Sequence, residues 1–333
     1  MEGEREVHTL VVGRDAMACR FEVVFNAGEV PEATAIAVDC LDLVEEIENR
    51  ISVYRETSEF SRLNARAAEG WQPLAADTLE LLLLARRLHE RTAGAFDIAS
   101  GALTRVWGFL RRQGRVPSAN ELVAAREASG MPLVELDVEG ARLRFTRPGV
   151  ELNPGAIGKG WALDRMVERL QDAGVASGLV HGGSSSVRAL GTRADEFFRG
   201  GGWPVGIRHP LRPGRRLATV RLTDGALGTS GSGTQFFIDR GRRLGHILDP
   251  RSGMPAEGVL SATVIAPTAA EADSLSTALF VLGPAGLDLV APPGGAVAAV
   301  LVVPGEASGA VKVSTANVAG DVVVFDPSAD VEL

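Results

Sequence analysis

Ala269-Ala-Glu-Ala-Asp-Ser-Leu-Ser-Thr-Ala-Leu-Phe-Val-Leu282 is the stretch on which the reading turns. Leu275, Leu279 and Leu282 recur at spacings of four and three, which predicts a helix, and Gly283-Pro284 stops it. Asp273 and Thr277 lie four apart and share a face. A carboxylate and a hydroxyl on an otherwise apolar helix are two hard oxygen donors, the type that suits Mg²⁺ or Ca²⁺ rather than zinc. Two donors do not make a site. Alone, they read equally as a capping aspartate and an ordinary buried threonine.

Further donors are sought in Glu151-Leu-Asn-Pro-Gly-Ala-Ile-Gly-Lys-Gly-Trp-Ala-Leu-Asp-Arg165. The pattern predicts a strand, a Gly-rich turn, and a helix running to Ala173 and stopped by Gly174. Gly155, Gly158 and Gly160 would let the backbone approach an anion, helix-terminal N–H groups would face it, and Lys159 would add a mobile charge. Gly-x-x-Gly-x-Gly matches neither the Walker A loop nor the dinucleotide fingerprint. His181, beside Gly182-Gly183, is open to two readings, a base or a satisfied structural histidine.

Four motifs stand in one order: Gly155-Ala-Ile-Gly-Lys-Gly160, Thr229-Ser-Gly231, His246-Ile-Leu-Asp-Pro-Arg-Ser-Gly253 and Ala272-Asp-Ser-Leu-Ser-Thr277. In these the chain resembles the ApbE family, the FAD:protein FMN transferases. Met17, the Ser52 to Asn64 run, Gly94-Ala-Phe-Asp97, Trp107-Gly-Phe109, Gly182-Gly183 and Trp203 to Pro210 extend the resemblance over roughly residues 8 to 326.

The resemblance implies an enzyme that binds FAD with Mg²⁺, cleaves the pyrophosphate, releases AMP and leaves FMN on a Ser or Thr of an acceptor flavoprotein. By family position the metal falls to Asp273, Thr277 and the Ala156 carbonyl. The flavin pocket falls to Met17, Tyr54, Ala95, Phe96, Asp97, Asn153, Lys159 and Ile247. His246 is the implied base, with a turn-capping histidine as the alternative. Asn153 replaces the family's usual acid, Ser276 stands where a second Asp often precedes the Thr, and Pro154, Gly158 and Ser184 also depart. Two rivals therefore remain, a Mg²⁺-dependent FAD pyrophosphatase and a non-enzymatic flavin-binding protein. The family's acceptor motif is absent, Ser308-Gly-Ala-Val311 coming nearest, so modification is expected in trans.

Composition sets outer bounds. The 333 residues, 45% hydrophobic and 23% charged, allow one large or two intimately joined units with an ample core. A net charge of −8 argues against general affinity for nucleic acid or anionic membrane. Cys19 and Cys40 form no CxxC and read as buried small residues. The charged start, Met1-Glu-Gly-Glu-Arg-Glu, has no apolar h-region, and no unbroken apolar run reaches 18 residues. The expectation is a cytoplasmic protein without membrane insertion, unless an export segment precedes this sequence.

The remaining pattern predicts strands at His8–Val12 and Arg20–Phe25 around Met17 and helices at Glu32–Arg50 and Thr78–Thr92. Ser118 and Glu121 form a capping box, and Val134–Phe145 reads as a hairpin. Strands are further expected at Gly178–Gly183, Ser186–Leu190, Trp203–Arg208, Leu217–Leu222, Thr234–Asp239, Leu260–Ala266, Ala296–Val303 and Asp321–Phe325. The expected fold is α+β, mixed or antiparallel sheets with flanking helices, with the active site in a cleft between two joined halves. Residues 1–7 are expected as a flexible N-terminus, 8–326 as the domain, and 327–333 as a tail.

Overall fold

Alternation with a period of two organises the structure. The computed structural model describes residues 8–194, 201–233, 235–307, 309–327 and 331–332. Nine strands form its main sheet: Thr9–Ala16, Cys19–Asn26, Gly178–Gly182, Ser186–Leu190, Ala226–Gly231, Ser261–Ala266, Ala298–Pro304, Val311–Ala316 and Val331–Glu332. They stand side by side in the order in which the chain makes them. Every pair is antiparallel except the last.

Along one strand Ala299 and Leu301 enter one core, while Val300 and Val302 enter another on the opposite face. The first core is closed by the helices Ala33–Ile51, Ala76–Arg91, Gly158–Asp172 and Ala269–Leu282. The second is closed by a three-stranded sheet, Trp203–Arg208, Arg216–Leu222 and Val323–Phe325, through Trp203, Ile207, Leu217 and Val220. The Ala269–Leu282 helix packs on the sheet and on the Gly158–Asp172 helix together. The fold is α+β, as the pattern predicts. The Met17 hairpin and the Ser118–Glu121 capping box also form as predicted.

Three expectations need correction. Glu151–Asn153 is not a strand: the backbone bonds of this segment go to Asn64, Ile98 and Gly101 rather than to a neighbouring strand. Val331–Glu332 pairs with Val311–Lys312, so part of the expected tail belongs to the sheet. Cys40 is buried, but Cys19 is only half-buried. No unbroken apolar run reaches 18 residues, as expected, although the 22-residue helical stretch Ala269–Val290 includes 18 residues of mean hydropathy 1.2. Its burial within this fold is that of a core helix. Residues 1–7, 195–200, Thr234, Ser308, 328–330 and Leu333 lie outside the described residues.

Candidate active site

The first turn of the Ala269–Leu282 helix leaves backbone N–H groups without intrahelical partners. Thr268 accepts from Glu271 N, and Asp164, reaching over from the Gly158–Asp172 helix, accepts from Ala269 N at 2.8 Å and Ala270 N at 2.9 Å. Burial pushes Asp164 up to about 6 in spite of those donors and of Arg188. The two helices touch at Gly160, where a Cβ would stand 2.1 Å from the Ala269 carbonyl oxygen. A Cβ on Gly158 would meet Ile51 and Pro154 at 3.1 and 3.4 Å, and of the three glycines only Gly155 is exposed. The expectation that all three glycines admit an external anion is therefore corrected. Gly160 serves helix packing, and the anion its N–H meets is a carboxylate of the same chain.

That carboxylate is Asp273, 6% exposed. Its Oδ2 accepts from Gly160 N at 2.9 Å and from Ser186 Oγ at 3.0 Å, with Lys159 Nζ at 3.6 Å. Burial pushes its pKa up, and Lys159 is the largest opposing influence. Among the described residues no group donates to Oδ1. Four residues on, Thr277 Oγ1 donates to the Asp273 carbonyl at 3.2 Å and lies 3.1 Å from Ser230 Oγ. Ser274 Oγ, on the same turn, donates to the Ala156 carbonyl at 3.5 Å, which brings the third expected donor to this helix.

A buried carboxylate opposed by one ammonium and open at Oδ1 fits a divalent cation, which would supply the missing positive charge. The available donors are a carboxylate, a hydroxyl and a carbonyl, all hard oxygens. Among the described residues no three His, Cys, Asp or Glu side chains cluster, so the donor set does not resemble a zinc site.

His246 is fixed by one carbonyl. Its backbone N–H and its ring Nδ1 both lie within bonding distance of Gln235 O, at 3.1 and 3.0 Å. A carbonyl only accepts, so Nδ1 carries the hydrogen and the neutral ring presents Nε2 as a lone pair. Phe109 stands edge-on to the ring at 6.4 Å. Burial pushes the pKa of His246 down and the Lys159 ammonium pushes it further, against the Gln235 carbonyl. Lys159 thus acts on both Asp273 and His246. His181 follows its structural reading: Nε2 lies 2.9 Å from Glu22 Oε2, and Nδ1 3.1 Å from Gly183 O.

The expected flavin residues are placed less evenly. Met17 occupies the tight turn of the first hairpin with φ 47, packed on the main core. Ala95, Phe96, Asp97 and Ile247 are buried. Both oxygens of Asp97 are engaged, by Ala99 N at 2.8 Å, Met131 N at 2.9 Å and the His89 ring at 2.9 Å, so the segment has its main chain to offer a ligand. The Asp97 carboxylate in turn raises the pKa of His89, against burial. Asn153 Oδ1 accepts from Gly155 N and caps the short turn that carries Ala156.

Tyr54 is 72% exposed, and its neighbour Val53 lines a cavity of about 250 Å³ together with Asn64, Arg105 and Asn153. A larger cavity, about 490 Å³, is lined by His89, Asp97, Arg126 and Arg251 among others. Neither contains Lys159, Asp273 or His246. The structure therefore gathers Ala156, Lys159, Asp273 and Thr277 at one helix, ties His246 electrostatically to Lys159, and leaves Asn153 and Asp97 on separate concavities and Tyr54 exposed. Sequence patterns alone did not single out Asp164, Ser186 or the Gln235 carbonyl. No spacing announces them, because helix crossing and strand pairing bring them in.

The sequence pattern of the ApbE family matches residues 17–301. A FAD:protein FMN transferase of Haemophilus influenzae is 31% identical over 249 residues, 72% of this chain and 70% of its own length. One from Treponema pallidum is 33% identical over 287 residues, 82% of this chain and 77% of its own. Among solved structures, the ApbE protein of Thermotoga maritima superposes with a TM-score of 0.83 at 29% identity, covering 93% of this chain and 97% of that one. The apo flavinyl transferase ApbE of Pseudomonas stutzeri gives 0.81 at 31% identity, covering 93% and 95%.

Proposed function

On the premise that the chain belongs to the ApbE family and is a transferase, we propose that it moves FMN from FAD onto a Ser or Thr hydroxyl of another protein, with Mg²⁺ bound and AMP released. The observation that carries this reading is His246: a buried imidazole with Nδ1 tied to Gln235 O, its pKa lowered, and Lys159 close enough to contribute. Such a ring is a base at neutral pH. A Ser or Thr hydroxyl is a weak nucleophile that needs one.

Mg²⁺ held by Asp273, Thr277 and the Ala156 carbonyl would neutralise charge on the FAD pyrophosphate. Lys159 holds the same phosphates by its point charge. The acceptor oxygen attacks the phosphorus of the FMN half, its proton passes to His246 Nε2, the P–O bond to the AMP half breaks, and AMP departs as the monophosphate. Oriented reactants supply the rest.

The pure protein, incubated with FAD and Mg²⁺ and with candidate flavoproteins, gives the test by mass spectrometry. An acceptor heavier by FMN with AMP in solution supports transfer. Free FMN and AMP alone indicate a pyrophosphatase, and intact FAD indicates a binding protein.

A further inference from the structure

The ribbon of Phe236–Asp239 and Arg242–Gly245 is only half covered. Its register sets Phe237 opposite Leu244 and Asp239 opposite Arg242, so these four share one face; Phe236, Ile238, Arg243 and Gly245 share the other. The first face is anchored, with Leu244 and Phe237 packed against Trp107 and Phe109. On the second, Phe236 is 45% and Ile238 68% exposed. The Arg243 guanidinium lies 3.8 Å over the Phe236 ring. Among the described residues no third strand joins the ribbon, so its edges keep unpaired main-chain groups.

Charge and position say what this face would take. Three arginines, Arg240, Arg242 and Arg243, stand against one Asp239 in a chain whose net charge is −8. Arg242 is matched by Glu257 at 2.8 Å, while Arg240 and Arg243 pair with no carboxylate among the described residues. The foot of the ribbon is the chemistry itself: Gln235, just before Phe236, holds the His246 ring, and His246 directly follows Gly245.

We propose that the outward face and open edge of this ribbon are the dock for the acceptor protein, taken as an extended, acidic segment that carries apolar side chains. Its main chain bonds along the edge, its apolar side chains cover Phe236 and Ile238, its carboxylates meet Arg240 and Arg243, and its hydroxyl residue comes to His246 at the foot. The proposal rests on the transfer reading above.

A library of randomised threonine-centred peptides, incubated with enzyme, FAD and Mg²⁺, tests it when FMN-bearing members are sequenced by mass spectrometry. The wild type is expected to mark peptides rich in Asp and Glu. Arg240→Glu with Arg243→Glu is expected to lose or invert that preference. Ile238→Asp, at an exposed position, is expected to lower kcat/KM for a marked peptide at least tenfold, with kcat, FAD affinity and thermal midpoint unchanged. Marking without charge preference, or at unaltered rates in these variants, overturns the dock and leaves the transferase standing. So does a dimer seen by sedimentation that Ile238→Asp dissociates without changing peptide rates, since a second copy would then own the face. FAD split to FMN and AMP with no peptide marked overturns the transfer reading, and the dock with it.

Discussion

Burial opposes a charge on Asp273, and Lys159, 3.6 Å away, is the largest influence that offsets it, beside the Gly160 N–H and the Ser186 hydroxyl. Asp273→Asn keeps an acceptor for Gly160 N and Ser186 Oγ but removes the charge. Mg²⁺-dependent turnover is expected to collapse with little loss of stability, and undiminished turnover at limiting Mg²⁺ would refute the assignment. Asp273→Ala also orphans Gly160 N, at a cost of about 1–3 kcal/mol, so it is the poorer probe. Lys159→Ala is expected to weaken FAD by about 1.5–3 kcal/mol, the range for charge-assisted bonds, and to leave riboflavin unaffected because it has no phosphate. Titration calorimetry with both ligands decides it. For His246→Asn, FAD affinity should hold while turnover falls by about 10²–10⁴. The wild-type rate rises with pH as the ring loses its proton. Because burial lowers the His246 pKa, the midpoint of the rising limb should lie below the ordinary histidine value, and the limb should vanish in the variant. Lys159, Asp273 and Thr277 were legible because local spacing puts them on helices. Ser186 and the Gln235 carbonyl were not, because only strand pairing and a hairpin foot deliver them.

The Ala269–Leu282 helix was legible from its leucines, whereas its N-terminus was not: the residue that completes the cap, Asp164, comes from another helix. Asp164→Ala leaves Ala269 N and Ala270 N unsatisfied, and about 1–3 kcal/mol of stability should be lost, read from urea unfolding. The same carboxyl couples the cap to pH. Its folded pKa, about 6, lies above its ordinary 3.8, so the folded state holds the proton more tightly. The stability this provides is fully present below about pH 4 and is lost as pH rises through about 6. A shift of that size is on the order of 3 kcal/mol, and Asp164→Asn should abolish the slope. Glu151–Asn153 shows the opposite failure: three residues that read as a strand are held by Asn64, Ile98 and Gly101, partners no local pattern could name.

At the scale of the molecule, alternation made the α+β class legible, since strands such as Ala298–Pro304 feed a helical layer on one side and a small sheet on the other. The order of strands was not, because alternation marks a strand without saying which other strand it pairs with. Neighbours in space are consecutive in sequence, yet one junction is long: Cys19–Asn26 pairs with Gly178–Gly182 across roughly half the chain. Closing that interval costs entropy that grows with the logarithm of its length, and its reward comes only when both strands have met. The hairpin that carries Met17 joins Gly178–Gly182, and with it the helix of Lys159, only after that interval closes. The strands from Ser186 onward can zip by short closures before then. The chain thus has a slow seam, and the proposed flavin residues Met17 and Lys159 lie on its two sides. On dilution from urea, helical signal should return first and FAD binding last, in a phase of its own, and simultaneous recovery of both would show that the seam sets no pace.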